Sequence, residues 1–411
     1  MRGFARVLVA AAVGGALAAG LLGGASSTSA APKPKPIVIW ADAAHAPVIS
    51  KLLKKGYKGT PVVVVTKEMA EIRSTLATTA AKDAPDVIWS DQSWTGELAA
   101  AGSIVPVTLN AVRQKQFPAN ILGGYRYGED SYGVPVQFSN LAMITNAVLV
   151  PTQPKTFDEL SAMVDKLRKK GKVKRGFMVP QGPGSDGFAM YTLFSGLGGY
   201  FFKTDSAGAL DATNIGLASP ALLKHSDIID GWNATKLINS DVTADVARTA
   251  FVKGNAAFWM AGPEDMATLK SLKFVYRITA VPTIVGKLIP APLLRVQGFM
   301  VTTYAAKHGV DVTAQKLVTR FMATVGRQLA LAGASGLNPA NSVAAKQVAE
   351  RRLTAIAAAA VAGVPVPNIP QMSALWSPYG GAWVASTAGP GATPAKDAFT
   401  AAQAAAVAAV G

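Results

Sequence analysis

Short apolar runs rich in β-branched residues alternate with helix-like segments between residues 37 and 89, and this alternation limits the fold more than any other feature. The predicted strands are Ile37–Trp40, Pro61–Val65 and Asp86–Trp89, and the predicted helices between them cover 47–58 and 68–82. Strands that alternate with helices of this length predict a parallel sheet with right-handed crossovers. In such sheets ligands bind beyond the C-terminal ends of the strands, where Trp40 and Trp89 lie.

Strand and helix signals continue downstream. Tyr132–Val136 and Arg175–Val179 predict further strands, and the second of them opens a second α/β unit. Between them we predict a helix that ends at Lys170, with Thr156 as its N-cap, acidic residues in its first turn and a basic last turn. The C-terminal third is dense in Ala and predicts mostly helix, interrupted at Pro365–Pro370.

The composition excludes several classes of function. The 411 residues contain no Cys, which excludes disulfide scaffolds, iron–sulfur centres, thiol catalysis and a lipid anchor on an N-terminal Cys. The three His residues are scattered, so we expect no zinc site. Gly182–Gly187 matches G-x-G-x-x-G, but Pro183 removes one backbone N–H from a phosphate cradle, and we interpret the segment as a ligand-lining turn. We therefore expect no metal and no cofactor.

The net charge of +16 comes from a shortage of carboxylates, with 24 Asp and Glu against 40 Lys and Arg. The basic stretch from Lys166 to Arg175 lies at a predicted helix end, where cations complement the helix dipole and stay solvated. We therefore expect no nucleic-acid partner. Because carboxylates lose their charge in acid, a chain with few of them also suggests an acidic extracellular habitat.

Residues 1–30 have the pattern of a secretory signal. Two Arg residues give a positive start, an uncharged apolar run follows, and Thr28–Ala30 supplies small residues at the cleavage point. We predict cleavage after Ala30, followed by a Pro-rich tail over 31–36. The alternative is an uncleaved membrane anchor. Without a lipid-bearing Cys, the exported protein is expected to be periplasmic or extracellular.

Tryptophans mark the places where a ligand is expected. Trp40, Trp89 and Trp94 lie at predicted strand ends, and Trp376 follows the Pro-rich loop. Indole rings offer flat apolar faces that suit the C–H faces of pyranose rings, and nearby Asp and Asn side chains can hydrogen-bond to hydroxyl groups. We hypothesise that several of these rings line one carbohydrate-binding cleft.

One segment of ten residues closely matches a motif of a known protein family. Pro367–Trp376 reads PNIPQMSALW and resembles P-N-I-P-Q-M-S-A-F-W of the maltose/maltodextrin-binding proteins of ABC importers, which belong to the extracellular solute-binding protein family 1 group. Weaker matches occur in the family's order over about 37–380. They are Ile37–Trp40, Ala84–Trp89, Leu98–Gly102, Tyr132–Pro135, Pro154–Leu160, Gly198–Tyr200, Ala250–Gly254, Gly262–Pro263 and Val281–Thr283.

The resemblance implies an α/β fold of the periplasmic-binding-protein-like type II class, with two α/β lobes and a hinge that close around one oligosaccharide. It places the N-lobe at 37–137 and 296–342, and the C-lobe at 138–295 and 343–411. It also implies a monomeric carbohydrate-binding protein without catalysis, which delivers its ligand to the membrane permease subunits of an ABC transporter.

The same resemblance, together with the tryptophan pattern, predicts a ligand site made of aromatic platforms and hydroxyl acceptors. Its predicted members are Trp376 and Trp94 as platforms, Asp42, Asp186 and Glu264 as acceptors, His45 and Phe188 as secondary contacts, and Trp40 as a supporting or contacting residue. Asp42 falls where the family has a sugar-bonding Asn, and Asp186 and Phe188 fall where it has a Glu and a Tyr.

Departures from the family leave the sugar open. The family's Asp–Lys pair after the first strand becomes Ala44 and His45, and the Tyr and Arg after the stacking Trp become Ser377 and Gly380. Each lost charged hydrogen bond is worth about 1.5–3 kcal/mol. Maltose, a longer malto-oligosaccharide, trehalose and other di- or trisaccharides therefore stay open.

Three other functions stay open at this point. A binding protein for a polyamine would use the acidic residues, whereas an anion would need an Arg in the cleft, which the sequence does not place. An extracellular glycoside-active enzyme belongs to a different class and would turn over a bound oligosaccharide. The third alternative is a scaffold that has lost its ligand and contacts protein or the cell envelope.

Overall fold

The strands form where the sequence is apolar and β-branched, as the alternation predicts. A computed structural model describes residues 35–181, 187–205 and 209–411. The predicted signal and its cleavage site, most of the Pro-rich tail, the glycine-rich turn up to residue 186 and the predicted acceptor Asp186 lie outside the described residues.

The strands, in chain order, are β1 Ile37–Ala41, β2 Val62–Thr66, β3 Val87–Asp91, β4 Ile104–Val105, β5 Arg126–Tyr127, β6 Asp130–Ser131, β7 Gly133–Ser139, β8 Ala142–Asn146, β9 Phe177–Met178, β10 Tyr200–Thr204, β11 Leu210–Gly216, β12 Phe258–Ala261, β13 Tyr276–Thr279, β14 Leu293–Thr302, β15 Asn338–Pro339 and β16 Val364–Pro365.

The α-helices are α1 Ala46–Leu52, α2 Met69–Thr75, α3 Thr95–Ala100, α4 Ala111–Gln114, α5 Ala119–Gly123, α6 Phe157–Lys169, α7 Tyr191–Gly196, α8 Pro220–Lys224, α9 Ser226–Ala234, α10 Ala244–Val252, α11 Met266–Ser271, α12 Tyr304–Lys307, α13 Asp311–Lys316, α14 Val325–Ser335, α15 Ser342–Ala345, α16 Arg351–Ala358, α17 Trp376–Ser386 and α18 Ala395–Val410. Short 3₁₀ turns lie at Gln92–Trp94, Phe188–Met190, Pro263–Asp265 and Pro370–Ala374, among others.

The larger sheet has the strand order β15-β7-β14-β3-β1-β2, with β4 and β16 paired to β14. β1 is parallel to β2 and to β3, as predicted. β14, a strand that the sequence pattern did not predict, is antiparallel to β3 and to β7, so the larger sheet is mixed. The reason is that β14 arrives from the part of the chain that forms the other sheet, and no βα crossover ties its direction to that of its neighbours.

The smaller sheet has the order β13-β8-β12-β9 among the described residues. The chain passes from the larger sheet to the smaller one directly between β7 and β8, and it returns between β13 and β14. Each sheet has its own hydrophobic core, with Trp89 fully buried in one and Trp259 in another. The two-lobed α/β fold is confirmed, and the residue limits given above for the lobes stay a prediction.

Local signals predict helix starts better than helix ends. α6 begins as predicted, because the Thr156 hydroxyl accepts from the backbone N–H of Glu159 at 3.2 Å. The helix predicted over 47–58 ends at Leu52, and Gly56 follows with φ of +72°, a left-handed conformation that favours Gly. Within the described part of the chain, no helix combines the length and the apolar character that a membrane span requires.

Candidate functional site

The end of β3 positions one of the two predicted aromatic platforms. Asp91 closes the strand, and its Oδ1 accepts from the backbone N–H of Ser93 at 3.0 Å and from the Ser93 hydroxyl at 2.7 Å. These bonds hold the 3₁₀ turn Gln92–Trp94. The turn directs Trp94 to the wall of a cavity, where the residue keeps 6% of its surface exposed.

The segment Val364–Trp376 brings the second platform to the same place, and it is anchored to the larger sheet. The amide nitrogen of Gln92 donates to the carbonyl of Val366 at 2.9 Å. The Asn368 amide donates to the carbonyls of Gly124 and Arg126 at 2.8 and 2.6 Å. The segment then turns through Pro370–Ala374 and enters α17 at Trp376.

Trp94 and Trp376 line one cavity of about 490 Å³, which we call the tryptophan cavity. Its other polar walls include Asp91, Arg295 and Gln297. The Trp376 ring is half-buried and rests edge-on against Phe201, with centroids 5.3 Å apart and planes inclined by 72°. A cavity of this size with apolar rings and a few polar groups is typical of a small-ligand site.

A second cavity of about 420 Å³ adjoins the first at Arg295, whose side chain lines both, and we call it the glutamate cavity. Phe188 and Glu264 line its wall. Arg295 lies between Leu294 and Val296, which are buried to 1% exposure or less, so alternation along β14 directs the Arg side chain to the open side. Its guanidinium carbon lies 5.5 Å from the centroid of the Phe188 ring.

The two acids beside Arg295 are partly desolvated. Burial raises the pKa of Asp91, although the bonds from Ser93 and the charges of Arg295 and Arg73 oppose the rise. The Glu264 side chain keeps exposed surface in the cleft, yet the cleft walls desolvate its carboxyl enough to raise its pKa, against the charges of Arg295 and Arg248. Among the ion pairs of the described residues, none includes Arg295. These charged groups therefore face the cavities with hydrogen-bonding capacity to spare.

Other charges near the cavities are already paired. The Arg248 guanidinium contacts Asp265 at 2.8 Å and Asp245 at 2.6 Å. At the rim of the tryptophan cavity, the Arg73 Nε donates to Glu97 Oε2 at 3.0 Å. No group of three or more His, Asp or Glu side chains that could hold a metal ion occurs in the part of the chain that the structure describes.

Comparison with known families agrees with this geometry. The family model described as bacterial extracellular solute-binding protein matches residues 49–360. The chain belongs to this family.

Curated relatives of this solute-binding protein carry sugar-binding names. A maltodextrin-binding protein, MdxE, of Bacillus subtilis is 26% identical over 329 residues, which cover 77% of this chain and 76% of the relative. A maltooligosaccharide ABC transporter solute-binding lipoprotein of Streptococcus pneumoniae is 24% identical over 90% of both chains. A galactooligosaccharide-binding protein of Bacillus subtilis is 22% identical over 86% of this chain and 85% of its own.

In this solute-binding protein, four of the eight predicted site residues form two pairs. Trp94 and Trp376 lie together in the tryptophan cavity, and Phe188 and Glu264 lie together in the glutamate cavity. Arg295 joins the two pairs. Another predicted member, Asp186, lies outside the described residues.

Asp42, His45 and Trp40 line none of the cavities described here. His45 is 2% exposed, with Nδ1 2.7 Å from Asp42 Oδ1. Burial by itself raises the pKa of Asp42, but the hydrogen bonds and charge of His45 outweigh it and hold that pKa below its ordinary value. Trp40 is 3% exposed, and the Lys67 ammonium lies 4.6 Å from its ring centroid. Ligand contact by these three residues stays a prediction.

Sequence reasoning missed three polar residues of the tryptophan cavity, namely Asp91, Arg295 and Gln297. Asp91 had a usable signal, because it follows a predicted strand at the edge where ligands bind. Arg295 and Gln297 alternate with buried residues on β14, which is the pattern of a strand with one open face.

Proposed function

We propose that this solute-binding protein binds an α-linked gluco-oligosaccharide, of the malto-oligosaccharide class or a related di- or trisaccharide, and delivers it to the permease of an ABC transporter. One observation carries the proposal: Trp94 and Trp376, from distant parts of the chain, line one cavity with Asp91 and Arg295. The indoles match the apolar faces of the sugar rings, the carboxylate accepts from hydroxyls, and the guanidinium donates to them. The names of the relatives support this ligand class.

The arrangement also accounts for how the two lobes trap a bound sugar by closing around it. Asp91 and Trp94 come from the larger sheet, whereas Glu264 follows β12 of the smaller sheet. A sugar that contacts both sets binds more tightly when the two lobes are close together. Ligand binding therefore shifts the population toward the closed state, which is the form that a permease can distinguish from the empty one.

The position of Arg295 weighs against a polyamine. A polycation in either cavity meets this guanidinium, which has no carboxylate partner among the described ion pairs. Like charges in a partly desolvated cleft repel each other. The Arg that an anion site needs is present, but Asp91 and Glu264 beside it favour a neutral polyhydroxylated ligand over an anion.

The family consists of binding proteins, and we extend this to the chain by proposing that it does not turn over its ligand. Incubation with maltotetraose followed by chromatography tests this point. Unchanged maltotetraose is the expected result, whereas release of shorter sugars would show a glycoside-active enzyme.

Export is consistent with an extracellular family, and we further propose cleavage after Ala30 and a monomeric mature protein without a nucleic-acid partner. N-terminal sequencing of the secreted protein is expected to begin at Ala31. A protein that still begins at Met1 would contradict the cleavage. Light scattering is expected to give the mass of one chain, and the mass of a dimer would contradict the monomeric state.

The direct test is calorimetric titration of the secreted protein with maltotriose, maltotetraose, trehalose, a β-galacto-oligosaccharide and spermidine. We expect saturable binding of at least one α-linked sugar with a Kd below about 100 µM. Binding of the β-galacto-oligosaccharide alone would move the proposal to a different glycosidic linkage, and binding of spermidine alone would overturn it.

A further inference from the structure

A third cavity of about 500 Å³ lies on the other side of the segment Val364–Ile369 from the tryptophan cavity. Val366, Pro367 and Ile369 line both cavities and form the wall between them. We call the third one the tyrosine cavity, after Tyr127, Tyr191 and Tyr200 in its wall. None of the ligand-binding residues predicted above lines this cavity.

The walls of the tyrosine cavity are mainly aromatic. Phe201 and Phe202 are buried and line it together with the three tyrosines. Tyr200 is fixed by its hydroxyl, which donates to Asn214 Oδ1 at 2.9 Å. Tyr191 packs against Phe201 with ring centroids 4.8 Å apart. Such walls present flat faces that suit a planar ring.

The wall of the tyrosine cavity also carries one hydroxyl that can bond to a ligand. Tyr191 keeps only 7% of its surface exposed, and its hydroxyl makes no hydrogen bond to any described residue. Burial raises the pKa of Tyr191 far above its ordinary range, so the group keeps its proton at neutral pH. The Tyr191 hydroxyl therefore keeps a proton that a polar atom of a ligand in the cavity can accept.

The charge of the tyrosine cavity differs from that of the tryptophan cavity. Arg126 and Lys203 line it, and no Asp or Glu occurs among the described residues of its wall. Lys203 pairs in register with Asp211 across the β10–β11 hairpin, but neither cation takes part in a described ion pair. Without carboxylate acceptors the cavity suits sugar hydroxyls poorly, whereas two cations at the wall attract an anion.

We propose that the tyrosine cavity is a second binding site, independent of the sugar cleft, for a small aromatic carboxylate. Its ring packs among Tyr127, Tyr191 and Tyr200, and its carboxylate lies toward Arg126 and Lys203. The site requires no oligosaccharide in the other cavities, so it stands whether or not the proposed sugar is correct.

Gly123 offers a way to obstruct the cavity without disturbing the fold. It ends α5 and lines the cavity, and a Cβ added there meets no atom within 4 Å. Gly123 is exposed, so Gly123→Leu is designed to add a side chain at the mouth of the cavity and hinder entry of the ligand. Gly231 in α9 is exposed and has equally open surroundings. Gly231→Leu is the matched control for the effect of a new leucine on a helix.

The experiment titrates benzoate and its neutral isostere benzamide into the secreted protein, with nuclear magnetic resonance and calorimetry as readouts. We expect saturable benzoate binding with a Kd below about 1 mM and benzamide binding about tenfold weaker or more. Gly123→Leu is expected to weaken benzoate binding about tenfold or more, and Gly231→Leu to leave it unchanged, with all proteins melting cooperatively.

A double variant, Arg126→Gln with Lys203→Gln, tests the charge separately from the shape. It is expected to remove the preference for benzoate over benzamide. Absence of saturable benzoate binding in the unaltered protein would overturn the proposal. Equal binding of benzoate by the protein and by Gly123→Leu would overturn it as well, because the ligand would then lie elsewhere.

Discussion

The imidazole ring of His45 lies flat against the indole of Trp89, with centroids 3.9 Å apart and planes inclined by 21°. Its ring nitrogens lie 2.7 Å from Asp42 Oδ1 and 3.2 Å from Gln137 Oε1. Gln137 in turn donates to Gln297 Oε1 at 2.7 Å, and Gln297 lines the tryptophan cavity. The buried stack is thus linked through the Gln137 amide to Gln297, a polar group of the tryptophan cavity.

Removing the His45 ring is expected to lower the stability of the fold. His45→Ala opens a gap against Trp89 and removes one hydrogen-bond partner each from Asp42 and Gln137, so we expect a loss of about 2 kcal/mol or more in the free energy of unfolding. Urea unfolding measures it. His225→Ala is the control, because the His225 ring makes one long contact of 3.4 Å to a carbonyl. Equal losses in the two variants would contradict the importance given to the stack.

The aromatic platform is tested by truncation. Trp376→Ala removes the ring that faces the tryptophan cavity, and we expect the affinity for the bound sugar to fall about tenfold or more. Phe321→Ala is a suitable control, since this half-buried ring packs on Tyr57, beneath the Arg327 guanidinium, and lines none of the cavities described here. An unchanged affinity in Trp376→Ala would remove it from the site.

Arg295 is expected to be the strongest polar determinant of binding. Hydrogen bonds from a charged donor contribute about 1.5–3 kcal/mol, so Arg295→Gln is expected to weaken sugar binding about tenfold or more. Arg277→Gln serves as control, because this guanidinium donates to Gln153 and to backbone carbonyls beside the smaller sheet. Tighter binding of spermidine by Arg295→Gln would fit the repulsion argued above, but undiminished sugar affinity would contradict the role.

The ionised carboxylate of Asp91 is expected to lower the free energy of unfolding, to an extent that depends on pH. Its folded pKa is raised, so the folded chain binds more protons than the unfolded chain between the ordinary value of 3.8 and the raised one. Its contribution to stability therefore falls as the pH rises through that window and stays unfavourable above it. Asp91→Asn should melt at a higher temperature than the unaltered protein at pH 7.

The advantage of Asp91→Asn should shrink as the pH is lowered through this window, and scanning calorimetry from pH 3 to pH 7 measures it. The same scans test the suggested acidic habitat, which a sharp loss of stability below pH 4 would contradict. Sugar affinity is expected to be weaker in the variant at pH 7, since the carboxylate acceptor is lost. A melting advantage that is independent of pH would rule out the titration of Asp91 as its cause.

Gly96 is expected to be essential for the anchoring of the segment Val364–Trp376. Its backbone N–H donates to the carbonyl of Asn368 at 2.8 Å, and an added Cβ would lie 2.4 Å from that oxygen. Gly96→Ala is expected to destabilise the protein by about 1–3 kcal/mol. Gly381→Ala, in an exposed and open part of α17, should instead stabilise it by about 0.5–1 kcal/mol. An unchanged stability in Gly96→Ala would show that the segment Val364–Trp376 can shift to make room for the added Cβ.

Local signals predicted much of the fold. β1, β2 and the cap of α6 at Thr156 follow from residues next to one another in sequence, and they occur as predicted. The direction of β14 depends on which strands it joins, which is a property of the whole chain. The helix predicted over 68–82 ends at Thr75, because no large apolar side chain follows the buried Leu76 within the predicted range.

The site was harder to predict, because it depends on which side chains meet across the fold. The residues that come together around Arg295 are far apart in sequence, and only the aromatic ones had a recognisable pattern. His45 follows the first strand, where a ligand contact is expected, yet Trp89 and Gln137 enclose it. Direction and depth of a side chain near a strand end are set by such distant neighbours.

The Asn368 amide nitrogen donates to the carbonyls of Gly124 and Arg126, and its carbonyl accepts from the backbone N–H of Gly96 in α3. Asn368, in the most recognisable decamer of the chain, therefore has a structural role, whereas Trp376 at the end of the decamer lines the tryptophan cavity. Asp91 and Arg295, which lie outside the decamer, are the residues that we expect to set the choice of solute. The decamer and these two residues can be altered independently. A library that varies the cleft while the decamer stays fixed could retune this protein as a sensor for other solutes without rebuilding its frame.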